Sequence, residues 1–217
     1  MSVRFYKSLE QAFVLKSSHI ESLWSYLHDV TDGVTSAETE CADDAEREFD
    51  QSTLLTDYEN PPKKKITGLT LQSSSRDVSI SVRFRTRTHF PVGVSVEAPD
   101  ESAERIYQQL RDKIRGTRPW YGVLAEQTFA SFLVLLALGY LVFRYYLETE
   151  EYGELRALLS GLGAALVVNE LRKWAFPSGY FALGQGEQRH RVFEILRWTA
   201  LSLVGTGLVG VLVTLLI

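Results

Sequence analysis

One cysteine, Cys41, stands alone among 217 residues. That excludes an intramolecular disulfide and a thiolate zinc cluster, and it suits a reducing, cytosolic setting. Neither asparagine, Asn60 nor Asn169, opens an Asn-x-Ser/Thr sequon. The four histidines, His19, His28, His89 and His190, fall at no metal-ligand spacing. There is no Gly-x-Ser-x-Gly elbow, no Walker loop and no Cys/His nucleophile pair. Acidic clusters such as Asp43-Asp44 and Glu46 with Glu48 are too plentiful to nominate an acid/base couple. The expectation is no cofactor, no metal and no catalysis.

Charge is also absent, over residues 127–143 and again over 198–217. At about 1.5 Å of rise per residue these runs give about 25 Å and about 30 Å of helix, close to the hydrocarbon thickness of a bilayer. Residues 1–7 lack a basic stretch followed by an apolar one, so a cleaved signal is not expected and the internal runs would direct insertion. The chain therefore divides into a soluble domain, 1–120, a first transmembrane helix with its interfacial belt, 121–147, an inter-span region, 148–197, and a C-terminal transmembrane helix, 198–217.

The soluble part is long enough for one small domain with its own core. Ile20, Leu23, Trp24 and Leu27 recur at helical spacing, with Ser17 or Ser18 as N-cap and Asp32-Gly33 as the stop. Short strands are expected over 34–41 and 46–49 and a short helix over 52–58, halted by Pro61-Pro62. Three clearer strands follow, at 66–71, 78–88 and 92–96, joined by turns at 73–77 and 89–93 into a meander with one buried face. A helix then runs from Pro99-Asp100 to Gly116, with Ile106, Leu110 and Ile114 four residues apart. The fold class is α+β: a small antiparallel sheet packed by helices, followed by a helical transmembrane region. Between the runs, 155–175 holds a short apolar helix, 181–186 an extended segment and turn, and 187–197 a helix entering the last span.

Three groups of residues are candidates for function. Arg83, Arg85, Arg87 and His89 alternate along one strand face and would form an anionic-ligand stripe, to which Lys63, Lys64 and Lys65 add field. The simpler reading is a solvated face paired with Glu97 and the acidic segment 38–50, and the lack of interleaved aromatics makes nucleic acid an unlikely partner. Arg111, Lys113, Arg115 and Arg118 precede Trp120 and Tyr121, basic residues beside an aromatic belt, suited to anionic lipid or to setting topology. Ser202, Thr206 and Gly210 recur every four residues, a small-residue stripe for helix packing that fits a homo-oligomer. Gly205, Gly207 and Gly210 match a dinucleotide fingerprint in spacing only, since the motif needs a preceding strand.

Topology turns on the uncharged stretch 157–168. Its roughly 18 Å of helix is short for a crossing, which favours two spans. Two spans would put Arg172, Lys173, Arg189, Arg191 and Arg197 outside, against the Lys/Arg rule, whereas three spans keep them inside. The functional expectation is a multi-pass membrane protein with a cytosolic domain, serving as a tethered binding, sensing or scaffolding module for a protein or an anionic ligand. A membrane-permeabilising effector that oligomerises through its spans is the alternative, and an enzyme of unrecognised class the third.

Overall fold

The computed structural model describes residues 2–51, 53–86, 88–125, 170 and 172–216. Within them lies an α+β domain, a six-stranded antiparallel sheet covered on one face by helices. The strands are β1 (Ser2–Leu9), β3 (Val34–Cys41), β4 (Glu46–Phe49), β5 (Ile66–Ser74), β6 (Ser79–Arg85) and β7 (Val92–Pro99), in the order β1-β7-β6-β5-β3-β4. The meander is the centre of this sheet, and β3 and β4 sit at the expected residues. β1 is an addition that the sequence reading did not reach. Its inward series is Val3, Phe5, Lys7 and Leu9, and the lysine breaks the apolar alternation. That lysine lies at the sheet edge and bends its ammonium over the Tyr107 ring, 5.3 Å from the centroid, which also marks the edge against further strands.

Register explains the core. Val92, Val94 and Val96 face Phe84, Val82 and Ile80 across β6–β7, and Leu71 and Leu69 continue the rows into β5. All eight are buried. They are covered by α1 (Ser17–Thr31) and α2 (Asp100–Arg115), whose buried stripes are Ile20, Leu23, Trp24 and Leu27 on one and Ala103, Ile106, Tyr107, Leu110 and Ile114 on the other. Helix ends follow the local chemistry. Asp32 stops α1 in the left-handed conformation, φ 49°, with its amide on the His28 carbonyl at 2.8 Å. The start of α1 differs from the expectation: Lys16 is the N-cap, and Ser17 and Ser18 lie inside the first turn. The cause is that β2 (Phe13–Lys16) runs into the helix with no turn between them. The segment expected as a short helix forms a π-helical turn, Thr53–Asp57.

β2 belongs to a second sheet. It pairs in parallel with β8 (Gly179–Ala182), Phe13 opposite Gly179 and Lys16 opposite Ala182. Phe13 is fully buried and meets Phe84 of the large sheet edge-on at 5.1 Å and Phe181 of β8 at 5.3 Å. A Cβ on Gly179 would lie 2.6 Å from the Phe13 ring, so only glycine lets the strands close here. Phe181 and Leu183 thereby join the same core cluster as the sheet and α1. After a helical turn, α3 (Gly122–Ala125), and β8, the chain continues as α4 (Gln185–Leu216).

Among the residues described in full, backbone and side chain, no helix is long and apolar enough to cross a membrane. The run 127–143 and the segment 157–168 lie outside the described residues, and α4 carries the run 198–216 as backbone.

Because Phe13 joins the two sheets, Phe13→Ala should lower the stability of the full-length protein by about 3–5 kcal/mol. Thermal or denaturant unfolding checks this, with Phe90→Ala, at an exposed ring, expected within about 0.5 kcal/mol of the parent.

Candidate functional site

Where the segment after residue 170 returns to the domain, a cavity of about 870 Å³ opens. Its walls come from Thr86, Thr88, His89 and Pro91, from Asn60 and Lys65–Thr67, from residues between 172 and 181 and from the first turns of α4. Cations dominate the lining. Among the described residues of the lining, Lys65, Arg172, Lys173, Arg189 and Arg197 stand against Glu10 and Glu170, five positive side chains against two carboxylates. Lys173 is paired with Glu170 at 2.6 Å, and the Arg172 guanidinium donates to the carbonyls of Leu124 and Ala125 at 2.9 and 3.0 Å.

Asn60 builds one wall. It is 1 % exposed and left-handed, φ 51°. Its amide nitrogen donates to the carbonyls of Phe181 and Leu183 at 3.2 and 3.4 Å, and its side-chain oxygen accepts from the Ile66 amide at 2.9 Å. Its own carbonyl accepts from Arg189 Nη2 at 2.6 Å. One residue, through its side chain and its carbonyl, thus ties β5, β8 and α4 together, and each of these polar atoms is satisfied inside the protein, as burial requires. Gly184 completes the turn into α4 at φ 49°, where a Cβ would meet the Glu59 carbonyl oxygen at 2.6 Å.

Arg197 is the unusual member. The residue is only 5 % exposed, its Nε donates to the Ala175 carbonyl, and its guanidinium lies over the Tyr121 ring, 4.4 Å from the centroid. Nη1 is buried without a hydrogen-bond partner among the described residues, and so is Nε of Arg189. No ion pair within 4.0 Å is formed by either arginine among those residues. Removing a charge from water costs several kcal/mol even after relaxation, and a ring face and one carbonyl offset only part of that.

An aromatic cluster borders this region. Trp120 stacks on Trp198 at 4.8 Å and 21°, and Phe176 packs on Tyr121 at 5.7 Å. The residue preceding the first apolar run by a few positions and the residue opening the last one are therefore in contact.

The expected candidates are distributed as follows. Arg83 and Arg85 do lie on the outward face of β6, but the strand ends at Arg85, and Arg87 is outside the described residues. The stripe was expected to reach His89; instead the chain turns at Thr86, before Pro91, and His89 lines the cavity. Arg85 pairs with Glu40 of β3 across Gly68, which puts no side chain between them. Both partners are 42 % exposed, so the pair contributes about 0–1 kcal/mol. Lys113 contacts Ser22 at 3.0 Å and lies over the Tyr26 ring, Arg115 pairs loosely with Asp112 at 3.7 Å, and Arg111 is half-buried on α2. Arg118 and Trp120 are exposed, whereas Tyr121 is buried beneath Arg197. Ser202 is exposed on α4 and donates to the Thr199 carbonyl at 2.8 Å; Thr206 and Gly210 are on the same helix, beyond the residues described in full. Sequence reasoning missed Asn60, Arg189 and Arg197 as site residues. The arginines were weighed only as topology signals, and Asn60 only as the residue before the Pro61-Pro62 stop, without a sequon.

Among the described residues no group of His, Cys, Asp and Glu could hold a metal ion. Comparisons with protein-family models, with curated proteins and with solved structures find no match for this chain.

His190 packs on Tyr180 at 5.2 Å beside the cavity and is 8 % exposed. Burial holds its pKa below the ordinary 6.5, with Arg197 and Lys16 adding to the fall and Glu194 and Glu187 opposing it. His19 is also held below 6.5, again chiefly by burial. Below pH 6.5 the unfolded chain then binds more protons than the folded one, so stability is full above that pH and falls as acid is added. The unfolding midpoint should drop between pH 7.5 and 5.5, and His190→Gln should flatten the drop.

Proposed function

We propose that the protein is a membrane-tethered binding or sensing module, whose cytosolic α+β domain is held against the bilayer on both sides of its membrane insertion and takes its ligand in the basic cavity. The observation that carries this reading is the β2–β8 pair: Phe181 and Leu183, from the part of the chain expected to be an inter-span region, lie in the core of the domain that precedes the first apolar run. A chain that enters the bilayer after residue 126 and contributes β8 to that same domain must cross an even number of times in between. With 127–143 as one crossing, the segment around 155–171 is the return, and 198–216 is a third crossing. The Trp120–Trp198 stack supports this, since it sets the domain-side ends of the first and last runs together.

Three crossings also suit the charges. Arg172, Lys173, Arg189, Arg191 and Arg197 share the domain's side, while Glu148, Glu150, Glu151 and Glu154 take the other, in keeping with the Lys/Arg rule. The short return segment has Arg156 near one end and Arg172 just past the other. Arg156 can snorkel, Arg172 is already held on the domain side by the carbonyls of Leu124 and Ala125, and local thinning of the bilayer makes up the remaining length. Holding the domain at two points fixes its orientation on the membrane, which is what a module reporting on, or recruiting to, that surface needs.

Single cysteines at Thr149, Gln185 and Ser75, each in a Cys41→Ser background, test the arrangement with a membrane-impermeant maleimide. Thr149→Cys should label in intact cells, and the other two only after permeabilisation. Labelling of Thr149→Cys from the same side as Gln185→Cys would contradict the proposal.

A further inference from the structure

We infer that the basic cavity is a binding site for a phosphoryl group, with Arg197 as its principal ligand and Arg189 as the second. This rests on the binding-module reading but not on the number of membrane crossings. Arg197 and Arg189 both line the cavity, and neither is held by a carboxylate within 4.0 Å among the described residues. Of the two, Arg197 is more than nine-tenths buried. A guanidinium in that position, not neutralised by a carboxylate, is built to receive an anion: its planar fork matches two oxygens of a phosphoryl group, and the gain is larger where water is excluded.

The spacing adds a second property. Arg189, Phe193 and Arg197 recur every four residues on one face of α4, and all three line the cavity. At about 1.5 Å of rise per residue the two arginines start about 12 Å apart along the helix, so the ligand extends beyond the phosphoryl group itself. Its body lies over Phe193, whose ring meets Trp174 edge-on at 6.1 Å. The opposing charge in the cavity is limited. Glu170 is already engaged by Lys173, and Glu10 is the other carboxylate among the described residues of the lining and is itself engaged. A cavity of about 870 Å³ is within the usual range for small-ligand sites. The same chemistry is offered by an anionic lipid headgroup and by a water-soluble phosphate ester. Trp174 is an exposed apolar side chain in the lining, which suits the first source.

The test is the thermal unfolding midpoint of the full-length protein in a neutral, phosphate-free detergent, titrated at constant ionic strength. One arm uses inorganic phosphate, the second dihexanoyl phosphatidylglycerol, and a third dihexanoyl phosphatidylcholine as a zwitterionic control. A ligand that binds only the folded protein raises the midpoint saturably. The parent and Arg191→Gln, a change at an exposed arginine, should show that rise with at least one of the first two ligands. Arg197→Gln should weaken the apparent affinity by about thirtyfold or more, and Arg189→Gln by less. Should Arg197→Gln fail to fold, Arg197→Lys, which keeps the charge and loses the fork, should give an intermediate loss. A rise with phosphatidylglycerol alone assigns the lipid source, and a rise with inorganic phosphate a soluble one. No rise above an equal concentration of chloride, or a rise unchanged by the substitutions at Arg197 and Arg189, would overturn the site. Because no bilayer is present, a failure here leaves the labelling result untouched, and a failure of the three-crossing arrangement leaves this titration untouched.

Discussion

The parallel contact between β2 and β8 makes residues from the two ends of the chain into one core. Phe13 sits between the Phe84 and Phe181 rings, Gly179 leaves it the space to do so, and Asn60 holds the backbone of β8 and α4 to the start of β5. Parallel strands need a crossover connection, and here it is everything between residues 16 and 179. Loop-closure entropy grows only slowly with length, so burying Phe13, Phe181 and Leu183 can offset it. If that contact is lost, the cavity has no floor and α4 has no fixed direction.

The site follows from this closure. Arg189 reaches the Asn60 carbonyl and Arg197 lies on Tyr121 because α4 starts where Gly184 turns it. Neither arginine is positioned by an acidic partner among the described residues; carbonyls and an aromatic face hold them. That arrangement leaves their charge available. A salt bridge would have neutralised them in place, as Glu40 does for Arg85 on the outer face of the sheet.

Much of the α+β fold was legible in the sequence. Period-two alternation read over 78–88 and 92–96 and period-four repetition in α2 have one physical cause, a single buried face, and they placed the meander and its covering helix, though β6 stops at Arg85. β1 was obscured by Lys7, a charged residue in an inward position that only the sheet edge tolerates. β2 was hidden because it is four residues long and merges with α1. The site was less legible for a related reason. Arg83 with Arg85, and Lys113 with Arg111 and Arg115, are clustered in sequence yet face solvent or neighbouring side chains, whereas Asn60, Arg189 and Arg197 come from distant segments. Their joint role depends on a long-range strand pair that carries no local signature. Arg197 next to an uncharged run looks like a topology marker from sequence, and only its burial and its place in the cavity wall separate the two roles.

Pairing of β2 with β8 is therefore the central claim, and a disulfide across it is the most direct test. Val14 and Tyr180 are register partners on adjacent strands, close enough for a bridge after modest adjustment. In a Cys41→Ser background, Val14→Cys with Tyr180→Cys should oxidise within one chain in native membranes. Both thiols would then resist maleimide-polyethylene glycol after denaturation until a reductant is added. Two thiols that remain fully reactive after oxidation, in a protein that is otherwise folded, would contradict the account.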